Sequence, residues 1–403
     1  MSVLSGKKIV LGVSGGIAAY KTAALVRLFI KAAAEVQVIM TPAARDFVTP
    51  LTLSTLSKNP VHSAFFNQED ENAVWNNHVD LGLWADFMVI APATANTLSK
   101  MAVGNCDNLL IATYLSAKCP VYIAPAMDLD MYKHPSTISG LNALKLFGNK
   151  IIPAESGELA SGLIGEGRMA EPEHIIRFIE EDIESRLPLR GKRILITAGP
   201  TYEAIDPVRF IGNHSTGKMG FDLAKSAAAL GADVMLVKGP THLSLQNNNI
   251  ELIKVVSAQE MYDACHNRFT TADVVIAAAA VADYKPKVIA GQKIKKTIDA
   301  FSIELEKTKD ILASLGAIKK NQFLIGFALE TENEIENAIA KVRKKNLDLI
   351  VLNSLRDEGA GFGTPTNKIT FIDDHFNIEP MELKSKEAVA DDILNKVIQH
   401  FNE

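Results

Sequence analysis

The chain has 403 residues, 47% hydrophobic and 22% charged, with a formal net charge of −5. That balance suits two soluble domains, each able to bury its own core, and gives no electrostatic reason to expect nucleic acid or a membrane as partner. Three cysteines without CxxC spacing do not fit a disulfide or zinc framework. No apolar run is long enough to span a bilayer and MSVLSGKK has no signal-peptide core, so a cytoplasmic protein is expected.

The chain opens with GKKIVLGVS (6–14): a basic start, a β-branched apolar run, a small-residue turn and then a helix-like stretch. Strand candidates follow at 36–40, 87–92, 120–125 and 150–153, separated by helical stretches. Residues 180–193, EEDIESRLPLRGKR, pass from a charged helical end through Pro188 into a second such start, GKRILITA (191–198). The linker is expected near 186–191, between domains 1–187 and 188–403. The second half repeats the alternation at 193–198, 233–238, 251–256, 273–279, 323–328 and 349–353. Runs such as MVIAPA and VVIAAAA predict mostly parallel sheets covered on both faces. The fold class is therefore α/β, with two Rossmann-like doubly wound domains.

The first turn, GVSGGIAAYK (12–21), places small residues at a helix start, where backbone N–H groups can hold a phosphate. It is not GxGxxG. The following strand ends VIMTPAA (38–44) without an acid for a ribose hydroxyl, which argues against NAD. A plain strand–helix connection is the competing reading of the turn alone.

Three further stretches decide between them: NNHVDLGLWAD (76–86), APATANTLSKMAVG (91–104) and APAMDLDMY (124–132). With the turn, they resemble the homo-oligomeric flavin-containing cysteine decarboxylases that form the N-terminal half of bifunctional coenzyme A biosynthesis proteins. The resemblance implies FMN held by Ser14, Gly15, Gly16, Thr41, Thr94 and Asn96, with His78 at the active site and Asp128 and Met131 toward the substrate. Two positions depart from that family. Asp128 stands where an asparagine amide is usual, and an ionised carboxylate cannot donate a hydrogen bond to a substrate carboxylate. SGELASGLIGEGRM (156–169) matches the family's flap, but Ser161 replaces the proton-donating cysteine. A hydroxyl is a far weaker acid than a thiol of pKa about 8.5. Cys106, in VGNCDNLL, is either a replacement thiol or a small buried cysteine, and the second reading is preferred.

The second turn sits in ITAGPTYEAIDPVRFIGNHSTGKMGFDLA (196–224), a long polar connection of the kind that binds ligands. GNHSTGK (212–218) satisfies GxxxxGK, but Met219 replaces the Ser or Thr that would hold magnesium, so a P-loop is rejected. Thr216–Gly217–Lys218 still reads as an anion-holding helix start. AAAAVADYKPKVIAGQKIKK (277–296) follows a buried strand with Asp283 and lysines 285, 287, 293, 295 and 296, and KVRKKN (341–346) adds a second basic cluster. Either cluster alone could be a solvated face; together they suit a triphosphate with its metal.

These stretches, with GFALET and KKNLDLIVLN, closely resemble the CTP-dependent phosphopantothenate–cysteine ligases from residue 191 to the end. The resemblance implies that Asp283, Lys293, Lys309, Asp310, Ile311, Leu312, Phe327, Lys341 and Lys345 bind CTP, and that Asn213 acts on the acyl-cytidylate. Mg²⁺ would accompany CTP; its ligands are unassigned. The implied substrates are 4′-phosphopantothenate, cysteine and CTP, and the ligated product would be decarboxylated to 4′-phosphopantetheine. Ligase halves pairing as dimers and flavin halves as trimers would build a dodecamer. Two alternatives stand beside this reading: a flavin half that yields an aminoenethiol product, and one that serves mainly as an oligomerisation module.

Overall fold

The computed structural model describes residues 2–66, 76–159, 161–247, 249–295, 302–354, 356, 359 and 363–402; Lys296 of the basic cluster lies outside them. The chain divides into two units, Met1–Ser185 and Arg186–Glu403.

The first unit is built on six strands: β1 Lys8–Val13, β2 Glu35–Met40, β3 Val61–His62, β4 Phe87–Ala93, β5 Val121–Pro125 and β6 Lys150–Ile151. They lie in the order β3-β2-β1-β4-β5-β6, and every neighbouring pair is parallel. The sequence explains the arrangement. β1 and β4 are continuous apolar runs buried on both faces, as parallel strands between helical layers must be. The apolar stripe Leu25, Val26 and Phe29 seals helix Thr22–Lys31 onto one face, and Leu98 and Met101 anchor helix Ala95–Val103 on the other. β1 and β4 run parallel, but successive strands are added outward on opposite sides of them, so their carboxyl ends open a crevice at a topological switch point. A separate antiparallel hairpin, Glu155–Glu158 with Ile164–Arg168, carries the flap sequence.

The second unit has eight sheet strands: β7 Arg193–Ala198, β8 Asp233–Lys238, β9 Ile250–Lys254, β10 Val274–Ala277, β11 Phe323–Glu330, β12 Leu349–Ser354, β13 Thr370–Asp373 and β14 Ile378–Pro380. Their order is β9-β8-β7-β10-β11-β12-β13-β14. The first six are parallel, and β13 and β14 extend the edge in antiparallel fashion. The switch point falls between β7 and β10. The long connection after β7 forms a small hairpin, Tyr202–Ala204 with Phe210–Gly212, before helix Lys218–Ala229 begins. Each unit's apolar clusters draw only on its own residues. Among the described residues, no helix is long and apolar enough to cross a membrane.

Candidate active sites

A cavity of about 980 Å³ opens at the carboxyl ends of the first unit's strands. It gathers eight of the ten residues expected there. Gly15 and Gly16 line it from the turn after β1, Thr41 from the end of β2, and Thr94 and Asn96 from the helix start after β4. Asp128 and Met131 face it from the loop after β5, and Ser161 from the flap. No side chain caps helix Ala95–Val103, which leaves its first-turn N–H groups available to an anion. Thr41 Oγ1 is buried with no hydrogen-bond partner among the described residues, a cost that a ligand would remove. A Cβ on Gly15 would lie 2.8 Å from the backbone of Ala43, whereas one on Gly16 would meet only Thr94 Cγ2 at 3.1 Å.

The other two residues stand elsewhere. Ser14 is buried behind the cavity lining; its hydroxyl donates to the Pro92 carbonyl at 2.6 Å and accepts from the Thr94 N–H at 3.0 Å. It fastens the two turns together, and its proton is committed to Pro92. His78 begins helix His78–Trp84 and meets the edge of Phe65, ring centroids 6.0 Å apart. Phe65 lines a neighbouring hollow of about 600 Å³ that shares Pro42, Asp107 and Asn108 with the main cavity.

Capping at the first departure leaves its charge without a structural explanation. The Asp128 carboxylate accepts from the Leu129 N–H at 2.6 Å at the start of helix Leu129–Lys133. An asparagine oxygen would accept equally well, so capping does not account for the charge. Cys106 is exposed, not buried as expected. Its neighbour Asp107 pairs with Lys100 at 2.5 Å and turns toward the cavity instead. Two cations that sequence reasoning missed also line the cavity. Lys21, 6% exposed, donates to the Met169 carbonyl at 3.0 Å and to Glu171 at 2.9 Å, and Arg168 reaches the same Glu171 oxygen at 2.5 Å. One carboxylate therefore serves two cations. Lys21 was visible in GGIAAYK; nothing in the sequence marked it for burial.

In the second unit a crevice of about 160 Å³ lies at the carboxyl ends of β10 and β11. Phe327 lines it, together with Thr216, Gly217 and Lys218 of the expected anion-holding helix start. Gly217 takes φ +83, and a Cβ there would lie 3.2 Å from the Gly199 backbone; glycine is required. Asn213 does not line the crevice itself; its side-chain amide donates to the carbonyls of Ala280, which does, and of Val281.

The remaining candidates lie outside this crevice but in two linked groups. The Asp283 carbonyl accepts from the Thr308 N–H at 2.9 Å. Next to it, the Lys309 ammonium lies 4.6 Å from the Tyr262 ring centroid. Asp310 caps helix Ile311–Ile318, whose Ile311 and Leu312 turn into the core, and pairs with Lys345 at 2.9 Å. Burial works to raise the Asp310 pKa, but the Ala313 N–H and the Lys345 ammonium outweigh it and hold the carboxyl below the usual range. Lys341 pairs with Glu330 at 2.5 Å, on the same strand as Phe327. Lys285 and Lys287 pair with Glu306 and Glu304. Lys285, Lys287, Lys341 and Lys345 thus each have a carboxylate partner. Lys293 is exposed beyond them. Asn367 and Lys386, which also line the crevice, were missed. Lys386, 5% exposed, begins the last helix, and burial together with the nearby charge of Lys218 pushes its pKa down.

Two switch-point sites on two Rossmann-like sheets, one built around a glycine turn and a flap and the other around a glycine-started helix and paired lysines, define a two-domain enzyme of the flavoprotein class. The chain matches the family described as Flavoprotein over residues 2–184. It matches the DNA/pantothenate metabolism flavoprotein C-terminal domain over residues 189–401. The chain belongs to the family of coenzyme A biosynthesis bifunctional proteins CoaBC, whose two halves are a flavoprotein decarboxylase and a ligase. It is 43% identical to the CoaBC protein of Bacillus subtilis (strain 168), over 98% of this chain and 97% of that one. It is 56% identical to a cysteine/cysteine sulfinic acid decarboxylase from an unknown prokaryotic organism, over 87% of this chain and 99% of that one. A solved C-terminal domain of CoaBC covers 54% of this chain and 98% of its own length, at 42% identity and a TM-score of 0.46.

Proposed function

We propose that the chain joins 4′-phosphopantothenate to cysteine with CTP and then decarboxylates the product to 4′-phosphopantetheine with FMN. The observation that carries the flavin half is the orphaned Thr41 hydroxyl in a cavity lined by the glycine turn, the Thr94–Asn96 helix start and the flap. Bound FMN supplies two-electron oxidation and re-reduction at the thiol-bearing carbon. The chain's own groups bind and orient. Backbone N–H groups at residues 15–16 and 94–96 hold the phosphate, Thr41 donates to the flavin, and Lys21 and Arg168 favour an anionic substrate. Ser161, on the flap that lines the cavity, is assigned the delivery of the last proton.

In the ligase half, attack of the substrate carboxylate on the α-phosphate of CTP breaks the α–β phosphoanhydride bond, giving an acyl-cytidylate and pyrophosphate. The cysteine amine then displaces CMP. Lys293, Lys341 and Lys345 neutralise charge gathering on the phosphates alongside Mg²⁺ carried in by CTP. Release of Lys341 from Glu330 and of Lys345 from Asp310 is part of nucleotide entry. Asp283, Lys309–Leu312 and Phe327 form the nucleoside side, and Asn213 serves the intermediate. A cytoplasmic homo-oligomer, dimeric through the ligase half and trimeric through the flavin half, completes the reading. Anaerobic turnover of synthetic phosphopantothenoylcysteine with mass analysis tests it. Loss of one CO₂ with a saturated thiol product supports it; an oxidised aminoenethiol product favours the incomplete reaction, and no reaction overturns the flavin assignment.

A second reading is favoured by the 56% identity to a protein named for cysteine and cysteine sulfinic acid. Here the flavin half decarboxylates one of those small amino acids, and Asp128 faces the free ammonium group that the pantothenoyl adduct lacks. The ratio of kcat/KM for free cysteine and for the adduct separates the two.

A further inference from the structure

Asp206 lies in the turn of the small hairpin after β7, and its side chain is fully buried. Five donors converge on it. One oxygen accepts from the N–H groups of Val208 and Arg209 at 2.8 and 2.9 Å. The other accepts from Arg209 Nε at 2.9 Å, from Arg209 Nη2, and from the N–H of Ile294 at 3.1 Å. Arg209 Nη2 in turn donates to the carbonyl of Ile294 at 2.9 Å. A tight turn needs only the first pair of bonds and could form at the surface. Burying the Asp206 carboxylate is costly unless its charge and lone pairs are satisfied, and the half-buried Arg209 alone does not satisfy them. What completes the set is a peptide segment more than eighty residues away.

Both backbone groups of Ile294 are therefore held by one ion pair, the N–H by Asp206 and the C=O by Arg209. A second tie runs from the Ala290 N–H to the Ile205 carbonyl at 3.0 Å. Residues 290–294 form neither helix nor strand and include Gly291, so these ties do the work that secondary structure does elsewhere. The lysines flanking Ile294, Lys293 and Lys295, are exposed. Tyr202 and Phe210, stacked at 3.8 Å, brace the hairpin that carries the pair.

We infer that the Asp206–Arg209 pair is a positioning device that fixes the backbone of Ile294 and so aims Lys293 at the nucleotide. The inference rests on Lys293 being a CTP contact. Arg209 neutralises Asp206 locally, which leaves the charge of Lys293 for the phosphates. Asp206 and Arg209 act through Lys293 and need not touch the substrate.

The test uses the full-length protein with Asp206→Asn and Arg209→Lys. Trypsin cleavage after Lys293 and Lys295, mapped by mass, reports the hold on the segment. The KM values for CTP and for cysteine report its use, and flavin absorbance checks the other half. Asp206→Asn should speed cleavage and raise the KM for CTP, each by about tenfold or more, as expected for loss of hydrogen bonds to a charged group. The KM for cysteine should move much less. Arg209→Lys should give a smaller change in the same direction, because an ammonium cannot hold Asp206 and the Ile294 carbonyl in one planar fork. It also carries the test if Asp206→Asn does not fold. Unchanged cleavage at both lysines overturns the proposal, as does an equal rise in both KM values. Faster cleavage with an unchanged KM for CTP supports the hold on the segment and overturns instead the nucleotide assignment of Lys293.

Discussion

The Asn213 side-chain amide donates to the Ala280 carbonyl at 3.0 Å and to the Val281 carbonyl at 3.2 Å. It thereby ties the loop before helix Lys218–Ala229 to the loop after β10, across the switch point. Asn213→Asp would set a carboxylate against two carbonyl oxygens. In a single turnover, pyrophosphate should still appear while amide formation falls by about 10² or more, the scale of losing one positioned donor. If both steps survive unchanged, the tie is structural only.

Thr41 gives a clean test of the flavin site. Thr41→Val keeps shape and removes a buried hydroxyl that lacks a partner among the described residues. Flavin affinity should fall about five- to fifteenfold, the worth of one hydrogen bond, with the apoprotein's melting temperature unchanged or raised. Gly15→Ala should differ, since its Cβ would run into the Ala43 backbone. It should lower both flavin content and stability. A Thr41→Val protein that binds flavin as the wild type does would move the site elsewhere.

Ser161→Cys should speed the final protonation in the flavin half. Ser161 lines the cavity from a turn closed by the Leu159–Leu163 backbone bond of 2.8 Å, so a thiol there reaches the same space. A positioned general acid typically contributes about 10²–10⁴-fold. Rapid-scanning flavin spectra under anaerobic conditions should show reduced flavin persisting in the wild type and clearing in the variant. Equal rates would mean that another group delivers the proton.

Acid should weaken the second unit. Hydrogen bonds from Arg209, opposed by burial and reinforced by three backbone N–H groups, hold the Asp206 carboxyl far below the usual range. Asp310 is also depressed. As pH falls below the unfolded value of about 3.9, the unfolded chain takes up protons that these folded carboxylates refuse, so stability drops. Calorimetry from pH 7 to pH 3 should show the second unit's melting temperature falling, and Asp206→Asn should flatten the slope. A slope unaltered by the substitution would remove Asp206 as its source.

Most of the sheet framework was legible because buried parallel strands are written as unbroken apolar runs, such as MVIAPA in β4 and VVIA in β10. The edge strands β13 and β14 escaped, being four and three residues long and without clear alternation. The flavin turn, the helix start at Thr94 and the flap were readable because each is local in sequence. What no local pattern carries is partnership across the fold. Lys345 meets Asp310 across 35 residues, Lys21 meets Glu171 across 150, and Ile294 meets Asp206 across 88. A lysine reads the same on the page whether bare or paired. Ser14 illustrates the same point: a hydroxyl in a phosphate-type turn suggests a ligand, and in the fold it donates to the Pro92 carbonyl 78 residues away.

The closure of each apolar core within its own half has a genetic consequence. A lesion in one half should leave the other folded, abolishing one step and sparing its neighbour. Two defective alleles, one mutated in each half, should then restore growth when carried together in a cell, because the intermediate can diffuse from one polypeptide to the other. Alleles mutated in the same half should fail to do so, and the complementation map should divide the gene into two groups.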